Sequence, residues 1–206
     1  MQSDLQNILE RVKQLYYKYG IKSVTMDDVA SELGISKKTL YQYFTDKNEL
    51  VEKVFNYDFE QRRSILDAVF MDEKNAIEEL VDLHHCIHEF LLQHNPATFY
   101  DLKKYYPQLY EQHMTNKLNK MYDNVLKNLK KGKLTGLYRN DMNEEIIAKY
   151  TVMNTFKLAD NETVLNQELS SEFFTEVLIY HIRGIASKKR HEILENYINK
   201  IKSYTK

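Results

Sequence analysis

Apolar residues recur every three or four positions along almost the whole chain, which is the spacing of one face of an α-helix. The first such stretch runs from about Asp4 to Tyr19, and Gly20 follows it where a helix C-cap belongs. Two shorter periodic stretches come next, with Thr25 and Ser36 in the N-cap positions. Strict alternation of apolar and polar residues, the pattern of a strand, is not sustained at any point of the sequence. The pattern therefore predicts an all-α fold.

Longer helices are predicted in the rest of the chain. Asp46 and Glu49 resemble a capping box at the start of a fourth helix. Asn95 and Pro96 are typical of the N-cap and first position of a helix, which Pro107 must break or kink. The periodicity indicates further long helices at about 77–91, 118–129, 143–160, 170–187 and 190–202.

Residues 25–50 have the organisation of a helix-turn-helix. The turn contains Gly34, which adopts left-handed backbone conformations at little cost, and the small Ala30 permits a close helix crossing. In such a unit the second helix enters the major groove of DNA. Its outward positions are polar, cationic or hydroxyl-bearing: Ser36, Lys37, Lys38, Thr39, Tyr41 and Gln42. We therefore predict a three-helix DNA-binding domain, residues 1–50, joined by a long helix to a helical bundle, residues 51–206.

The charge balance limits how DNA could be bound. The 206 residues carry 29 Lys+Arg and 30 Asp+Glu, so the chain has no general affinity for polyanions. No acid occurs between Glu32 and Asp46, whereas Lys37 and Lys38 lie in that window and Lys47 follows it. The positive surface is local, so we expect one DNA-binding domain to bind weakly and the two domains of a dimer to act together.

The stretch ILERVKQLYYKYGIKSVTMDDVASELGISKKTLYQYFTDKNELV resembles the N-terminal domain of the TetR family of transcriptional regulators. The shared positions are Gly20, Thr25, Val29, Ala30, Gly34, Ile35, Ser36, Leu40, Tyr41, Tyr43, Phe44, Lys47 and Leu50. The resemblance covers about the first quarter of the chain, roughly residues 5–51, and its LYxYFxxKxxL portion is highly specific.

The resemblance implies a dimeric repressor that binds a palindromic operator and responds to a small-molecule effector. Lys37, Thr39 and Gln42 would face bases or adjacent phosphates. The DNA backbone would be contacted by Thr25, Ser36, Tyr41, Tyr43 and Lys47. Many family members carry glycine where this chain has Lys38, which could add a phosphate contact or block close approach. Leu40 and Phe44 are expected in the core.

The predicted bundle offers candidates for a ligand pocket. His84 and His88 lie one helical turn apart on an apolar stripe, a spacing found among metal ligands but more often among core histidines. Because the resemblance implies a ligand in the middle of the bundle, the predicted pocket residues are His84, His88, Tyr122 and Met153.

The predicted helix 170–187 offers a candidate dimer interface. Its apolar face carries Phe174, Leu178, His181 and Ile185. Together with the helix predicted at 143–160, this face would form a self-complementary four-helix interface, with packing inside one chain as the alternative.

Other function classes find less support in the sequence. It has no GxGxxG, Walker or GxSxG motif, and the single cysteine, Cys86, excludes an intramolecular disulfide and a multi-cysteine zinc site. We therefore expect no cofactor, no metal and no enzymatic activity. Two alternatives stay open: a helical metalloenzyme that uses His84, His88 and Glu89, and a helical adaptor that does not bind DNA.

The location of the protein follows from its hydropathy pattern. No stretch approaches about 18 consecutive apolar residues, and the first residues lack the charged-then-apolar order of a signal peptide. We expect a cytoplasmic homodimer whose partners are duplex DNA and an effector, with no membrane partner.

Overall fold

The computed structural model describes residues 2–70, 74–92, 95–159, 171–188 and 194–199. Their helices are α1 (Gln2–Tyr19), α2 (Met26–Leu33), α3 (Lys37–Tyr43), α4 (Lys47–Val69), α5 (Ala76–Leu92), α6 (Pro96–Tyr105), α7 (Pro107–Leu134), α8 (Glu144–Ala159) and α9 (Ser171–Ile185). Residues 194–199 are also helical. Within the described ranges there is no strand, and the only β-type pairing is an isolated bridge between Tyr138 and Ala186. The all-α prediction is confirmed.

Local side chains set most of the helix starts. Thr25, Ser36 and Asn95 each accept a backbone N–H of the helix that follows, as predicted. Asn143 does the same for α8, with bonds of 3.1 Å from the N–H groups of Glu145 and Ile146. These bonds satisfy donors that a helix leaves unpaired at its first turn.

Some helix boundaries differ from the prediction or lie outside the described residues. α1 begins at Gln2, two residues before the expected start, so Ser3 is inside the helix. At α4 the N–H of Glu49 donates to Asp46 as expected, but the Glu49 carboxylate accepts from Thr45 at 2.6 Å. The predicted cap Ser170 and the ends of the helix predicted at 190–202 lie outside the described residues.

The chain divides into two compact units. Unit 1 consists of Met1–Ser64 and Gln93–Asn116, and unit 2 of Ile65–Leu92 and Lys117–Lys206. The domain boundary predicted after residue 50 falls inside α4. Among the described residues, no helix is both long enough and apolar enough to cross a membrane.

Unit 1 joins the helix-turn-helix to α6, which lies far along the chain. The buried core combines side chains of α1 to α4 with one from α6: Val12, Tyr16, Val29, Leu40, Phe44, Leu50, Val54, Phe55 and Leu102. The hydroxyl of Thr98 donates to the carbonyl of Tyr16 at 2.5 Å. The N–H of Lys22 donates to Asp101 at 2.8 Å. These bonds fix α6 against the end of α1 and the loop that leads to α2.

Unit 2 is built around α5, α7, α8, α9 and residues 194–199. A buried polar network ties α5 to α7. Asn128 donates to the carbonyl of Ala76 at 2.7 Å and to Glu79 at 2.8 Å, and Lys131 pairs with Glu79 at 2.7 Å. Tyr138 donates to the same Ala76 carbonyl at 2.8 Å. Every buried group of this network has a partner, which is what a stable buried carboxylate requires.

Candidate nucleic-acid interface and ligand cavity

α2 is held in place by a reciprocal cap at its first turn. The N–H of Thr25 donates to the carboxylate of Asp28 at 2.8 Å, and the N–H of Asp28 donates to the Thr25 hydroxyl at 3.2 Å. The hydroxyl donates in turn to Asp28 at 2.6 Å, and this hydrogen bond is the largest cause of the lowered Asp28 pKa. Thr25 is exposed, as a phosphate contact requires, but its hydrogen is already given to Asp28. A phosphate at this position would compete with that carboxylate.

Gly34 makes the turn between α2 and α3. Its φ of 69° and ψ of 30° are left-handed, and the N–H of Ile35 donates to the carbonyl of Ala30 at 3.0 Å. No atom lies within 4 Å of the place where a β-carbon would be, so the backbone conformation, rather than lack of space, favours glycine.

α3 presents a polar face and buries its apolar one. Ser36 caps it by accepting the N–H of Thr39 at 3.0 Å. Leu40 and Phe44 are fully buried, as predicted. The other predicted contacts of the helix point outward: Lys37, Lys38, Tyr41, Gln42 and Tyr43 are exposed, and Thr39 is half-buried. The structure therefore places the predicted contact residues of α3 on one accessible surface of unit 1.

The lysines of this surface differ in their partners. Lys37 pairs with Asp27 at 2.9 Å, and its pKa is raised chiefly by this hydrogen bond. Both side chains of the pair are at least half exposed, so the pair is weak and can exchange for a phosphate. Within the described part of the chain, Lys38 and Lys47 form no ion pair.

Lys47 opens α4 and is half-buried. Its Nζ donates to the carbonyl of Lys22 at 3.5 Å. Burial lowers the pKa of Lys47, while the charges of Asp101 and Asp28 oppose that effect. The side chain is therefore positioned beside the α1–α2 loop at the start of a helix, where an anion is favoured.

Residues 8–54 match the family model of bacterial regulatory proteins of the tetR family. The first quarter of the chain therefore carries the sequence pattern of the tetR family. The matched segment contains α2 and α3 and most of α1, so the family match and the helix-turn-helix geometry coincide.

The chain is also similar to individual regulators beyond this segment. It is 32% identical over 85 residues to the uncharacterised HTH-type regulator YvaF of Bacillus subtilis, covering 41% of this chain and 45% of YvaF, less than half of that relative. It is 23% identical over 189 residues to an uncharacterised HTH-type regulator of Haemophilus influenzae, covering 87% and 94%. Its fold matches CprB of Streptomyces coelicolor, solved with its operator, at a TM-score of 0.65 and 15% identity, over 100% and 98%. The family match thus covers the helix-turn-helix, and the likeness to CprB covers the fold of the chain.

Unit 2 contains a cavity of about 680 Å³ between α5, α8 and α9. Apolar side chains form most of its lining: Leu80, Leu83, Ile87, Ile147, Phe174 and Leu178. The polar side chains at its wall include His84 of α5, Asn154 of α8 and His181 of α9. An apolar cavity with a few polar groups is typical of a small-molecule site.

The four predicted pocket residues are distributed differently. His84 lines the cavity, but His88, Tyr122 and Met153 are not among its lining residues. The His88 ring instead packs edge-on against Phe174, and Met153 is exposed on α8. Sequence spacing placed His84 and His88 on one stripe of a helix. It did not show that His181 of α9 lines the same cavity as His84 of α5.

Both cavity histidines are neutral at neutral pH. His84 Nε2 hydrogen-bonds the carbonyl of Phe174 at 2.6 Å, and burial lowers the pKa of His84 to about 4. Burial also lowers the pKa of His181, whose Nε2 is buried and, within the described residues, has no hydrogen-bond partner. A buried imidazole nitrogen without a partner costs free energy that a bound hydroxyl or carbonyl would recover.

The residues predicted for a dimer interface on α9 pack inside the chain instead. Phe174, Leu178 and Ile185 are 7%, 6% and 4% exposed, because α5 packs on that side of α9. The exposed apolar residues of α9 form the adjacent row: Phe173, Val177 and Tyr180. A matching row stands out on α8: Ile146, Tyr150 and Met153. Both rows have helical spacing in the sequence, but α9 has two apolar rows, and the pattern alone did not tell which faces outward.

The predicted alternative of a metal site requires several ligating side chains to lie close together. In the described ranges, no three or more His, Cys, Asp or Glu side chains are grouped so that they could hold a metal ion. His84, His88 and Glu89 therefore do not form such a group.

Proposed function

We propose that this TetR-family protein is a repressor that binds a palindromic DNA operator as a homodimer and is released by a small molecule. The observation that carries the proposal is the accessible face of α3, with Lys37, Lys38 and Gln42 exposed, on a helix fixed by its Ser36 cap and by buried Leu40 and Phe44. A rigid, exposed polar helix of this kind fits the major groove.

The contacts divide into two roles. Lys37, Thr39 and Gln42 read base edges or adjacent phosphates, Gln42 being suited to a bidentate bond with adenine. The other contacts go to the DNA backbone and orient the protein on the duplex: Thr25, Ser36, Tyr41, Tyr43 and Lys47. Lys38 is exposed and, among the described residues, forms no ion pair, which favours a phosphate contact for it over a blocking role.

Dimerisation uses the exposed rows of α8 and α9. A palindrome reader needs two heads at a fixed spacing, and half-sites are separated by about 10 base pairs or multiples of that. Val177, Tyr180 and Tyr150 are exposed and also line the cavity, and their rows form an apolar surface of the kind that partner proteins cover. The likeness to CprB, which was solved with its operator, supports DNA binding by this fold.

The effector occupies the cavity of unit 2. The histidines of its wall are neutral, and among the described residues Arg183 is the one cation of the lining, bonded to Glu195 at 3.2 Å. The cavity therefore favours an uncharged, largely apolar molecule with one hydrogen-bonding group, because burying an unpaired charge would be costly. Occupancy lowers DNA affinity by stabilising a conformation in which the two heads do not fit both half-sites.

The proposal is tested by selecting bound sequences from random duplex DNA. We expect the wild type to enrich an inverted repeat, and the Lys47→Ala, Tyr41→Ala double variant to enrich none. Gln42→Ala should still enrich a repeat, but with a changed base preference within each half-site, because only a base contact is removed. Selection of the same sequence by Gln42→Ala would refute the base-reading role. Failure of the wild type to enrich DNA, with and without added cell extract, would refute DNA reading altogether.

A further inference from the structure

Unit 1 has a second cationic surface that lies outside the helix-turn-helix. It is formed by the α1–α2 loop and α6 and consists of Lys22, Tyr100, Lys103, Lys104 and Tyr105, here called the α6 basic surface. The Nζ atoms of Lys22 and Lys104 each lie 5.3 Å from the centre of the Tyr105 ring. Lys104 also lies over Tyr100 and donates to its hydroxyl at 3.1 Å. Two lysines that are separated by 82 positions in sequence thus share one tyrosine.

This surface brings the positive charges of several lysines together. Within the described part of the chain, Lys22, Lys103 and Lys104 form no ion pair. The neighbouring acid, Asp101, is buried and accepts the backbone N–H of Lys22 at 2.8 Å. By contrast, Lys13 and Lys53 of the same unit pair with Glu10 and Glu49.

The two tyrosines do not neutralise the surface. A hydrogen bond from Lys22 is the largest cause of the lowered pKa of Tyr105, as expected next to two ammonium groups. Tyr100 and Tyr105 are both exposed, and cation–π contacts at exposed positions are weak. The lysines therefore remain available to an anion from solution.

The α6 basic surface adjoins the proposed DNA contacts. The carbonyl of Lys22 accepts the Nζ of Lys47 at 3.5 Å, and Lys22 lies three residues before Thr25, the cap of α2. Both Lys47 and Thr25 are proposed backbone contacts. The α6 basic surface therefore lies next to Lys47 and Thr25 and belongs to the same compact unit as the helix-turn-helix.

We propose that the α6 basic surface binds backbone phosphates of duplex DNA immediately outside each half-site. This rests on the proposed function, and it extends the DNA footprint beyond the bases that α3 reads. Duplex DNA presents a charge about every 1.7 Å along its axis, so phosphates are available to any cationic surface that continues the interface. Lysine ammonium and tyrosine hydroxyl groups are common donors to phosphate oxygens. Such contacts add affinity without sequence preference.

The test compares two duplexes that carry the selected inverted repeat. One ends at the repeat, and the other is extended on each side by about 10 base pairs of arbitrary sequence, one helical turn. Wild type and a Lys22→Ala, Lys104→Ala double variant are titrated with both by fluorescence anisotropy at several salt concentrations. Lys130→Ala removes one positive charge from unit 2 and serves as control, and Lys22→Arg, Lys104→Arg retains the charges.

We expect extension to tighten wild-type binding about five- to tenfold at low salt. The slope of log binding constant against log salt concentration should become steeper by about 0.9 for each additional phosphate contacted. The double alanine variant should lose this gain while binding the short duplex like the wild type. Lys130→Ala and the arginine variant should keep the gain. An equal gain in the double alanine variant would overturn this inference alone. Failure of the wild type to bind either duplex would overturn the proposed function as well.

Discussion

Gly132 of α7 is the glycine with the least room among those described. A β-carbon there would lie 2.0 Å from Cδ2 of Tyr138. The tyrosine ring is buried, and its hydroxyl donates to the carbonyl of Ala76 at 2.8 Å and to Asn128 at 3.1 Å. The Tyr138 ring cannot move away from Gly132 without breaking buried hydrogen bonds. The segment after α7 therefore packs against α7 at a distance that leaves no room for a β-carbon at Gly132.

Gly132→Ala should therefore lower the free energy of unfolding. Overpacking costs about 1–3 kcal/mol, and the better helix propensity of alanine offsets up to about 1 kcal/mol of it. We expect a net loss of about 1–2 kcal/mol in urea unfolding. Lys130→Ala, at an exposed position of the same helix, should change stability by less than about 0.5 kcal/mol. Stabilisation by Gly132→Ala would contradict the close contact.

At the scale of elements, α5, α8 and α9 together decide what the cavity can hold. α5 contributes His84 and α9 contributes His181, both neutral, while α8 contributes Asn154. None of these helices could form the site alone, because each supplies one wall.

The composition of these walls predicts selectivity among three probes with the same ring system. By calorimetry, 2-naphthol should bind more tightly than naphthalene, and 2-naphthoate most weakly, because the described lining offers no free cation to pair with a carboxylate. His181→Phe should remove the preference for 2-naphthol over naphthalene, about fivefold for one hydrogen bond. His85→Phe, on α5 outside the lining, is the matched control. Tightest binding of 2-naphthoate would show that the proposed ligand class is wrong.

The starts of several helices could be predicted from the sequence, whereas the outward face of α9 could not. The starts of α2, α3 and α6 were predicted correctly because Thr25, Ser36 and Asn95 bond to backbone groups two or three residues away. The outward face of α9 was not, because Phe174 and Val177 are equally apolar and only contact with α5 distinguishes them.

At the scale of the whole molecule, operator affinity depends on joining two heads. The exposed row of α9 is the proposed junction, and Tyr180 is 80% exposed in the isolated chain. A charge placed in the middle of an apolar interface is expensive to bury.

Val177→Glu should therefore shift the protein from dimer to monomer, as measured by light scattering during gel filtration. Operator affinity should fall about a hundredfold or more, because the second half-site contact is no longer intramolecular. Tyr19→Glu, which places the same acid at a more exposed position of unit 1, should leave the mass unchanged. A dimeric Val177→Glu with full operator affinity would refute this interface.

The sequence alone determined the helical fold, the caps, the turn at Gly34 and the polar face of α3, because these depend on residues within about one helical turn of each other. Tertiary structure decided three further features. It turned Phe174 inward, brought His181 beside the cavity and placed Lys104 next to Lys22. Each depends on packing between helices that are distant in sequence. Local periodicity specifies that a helix has an apolar face, but only its neighbour selects which face is buried.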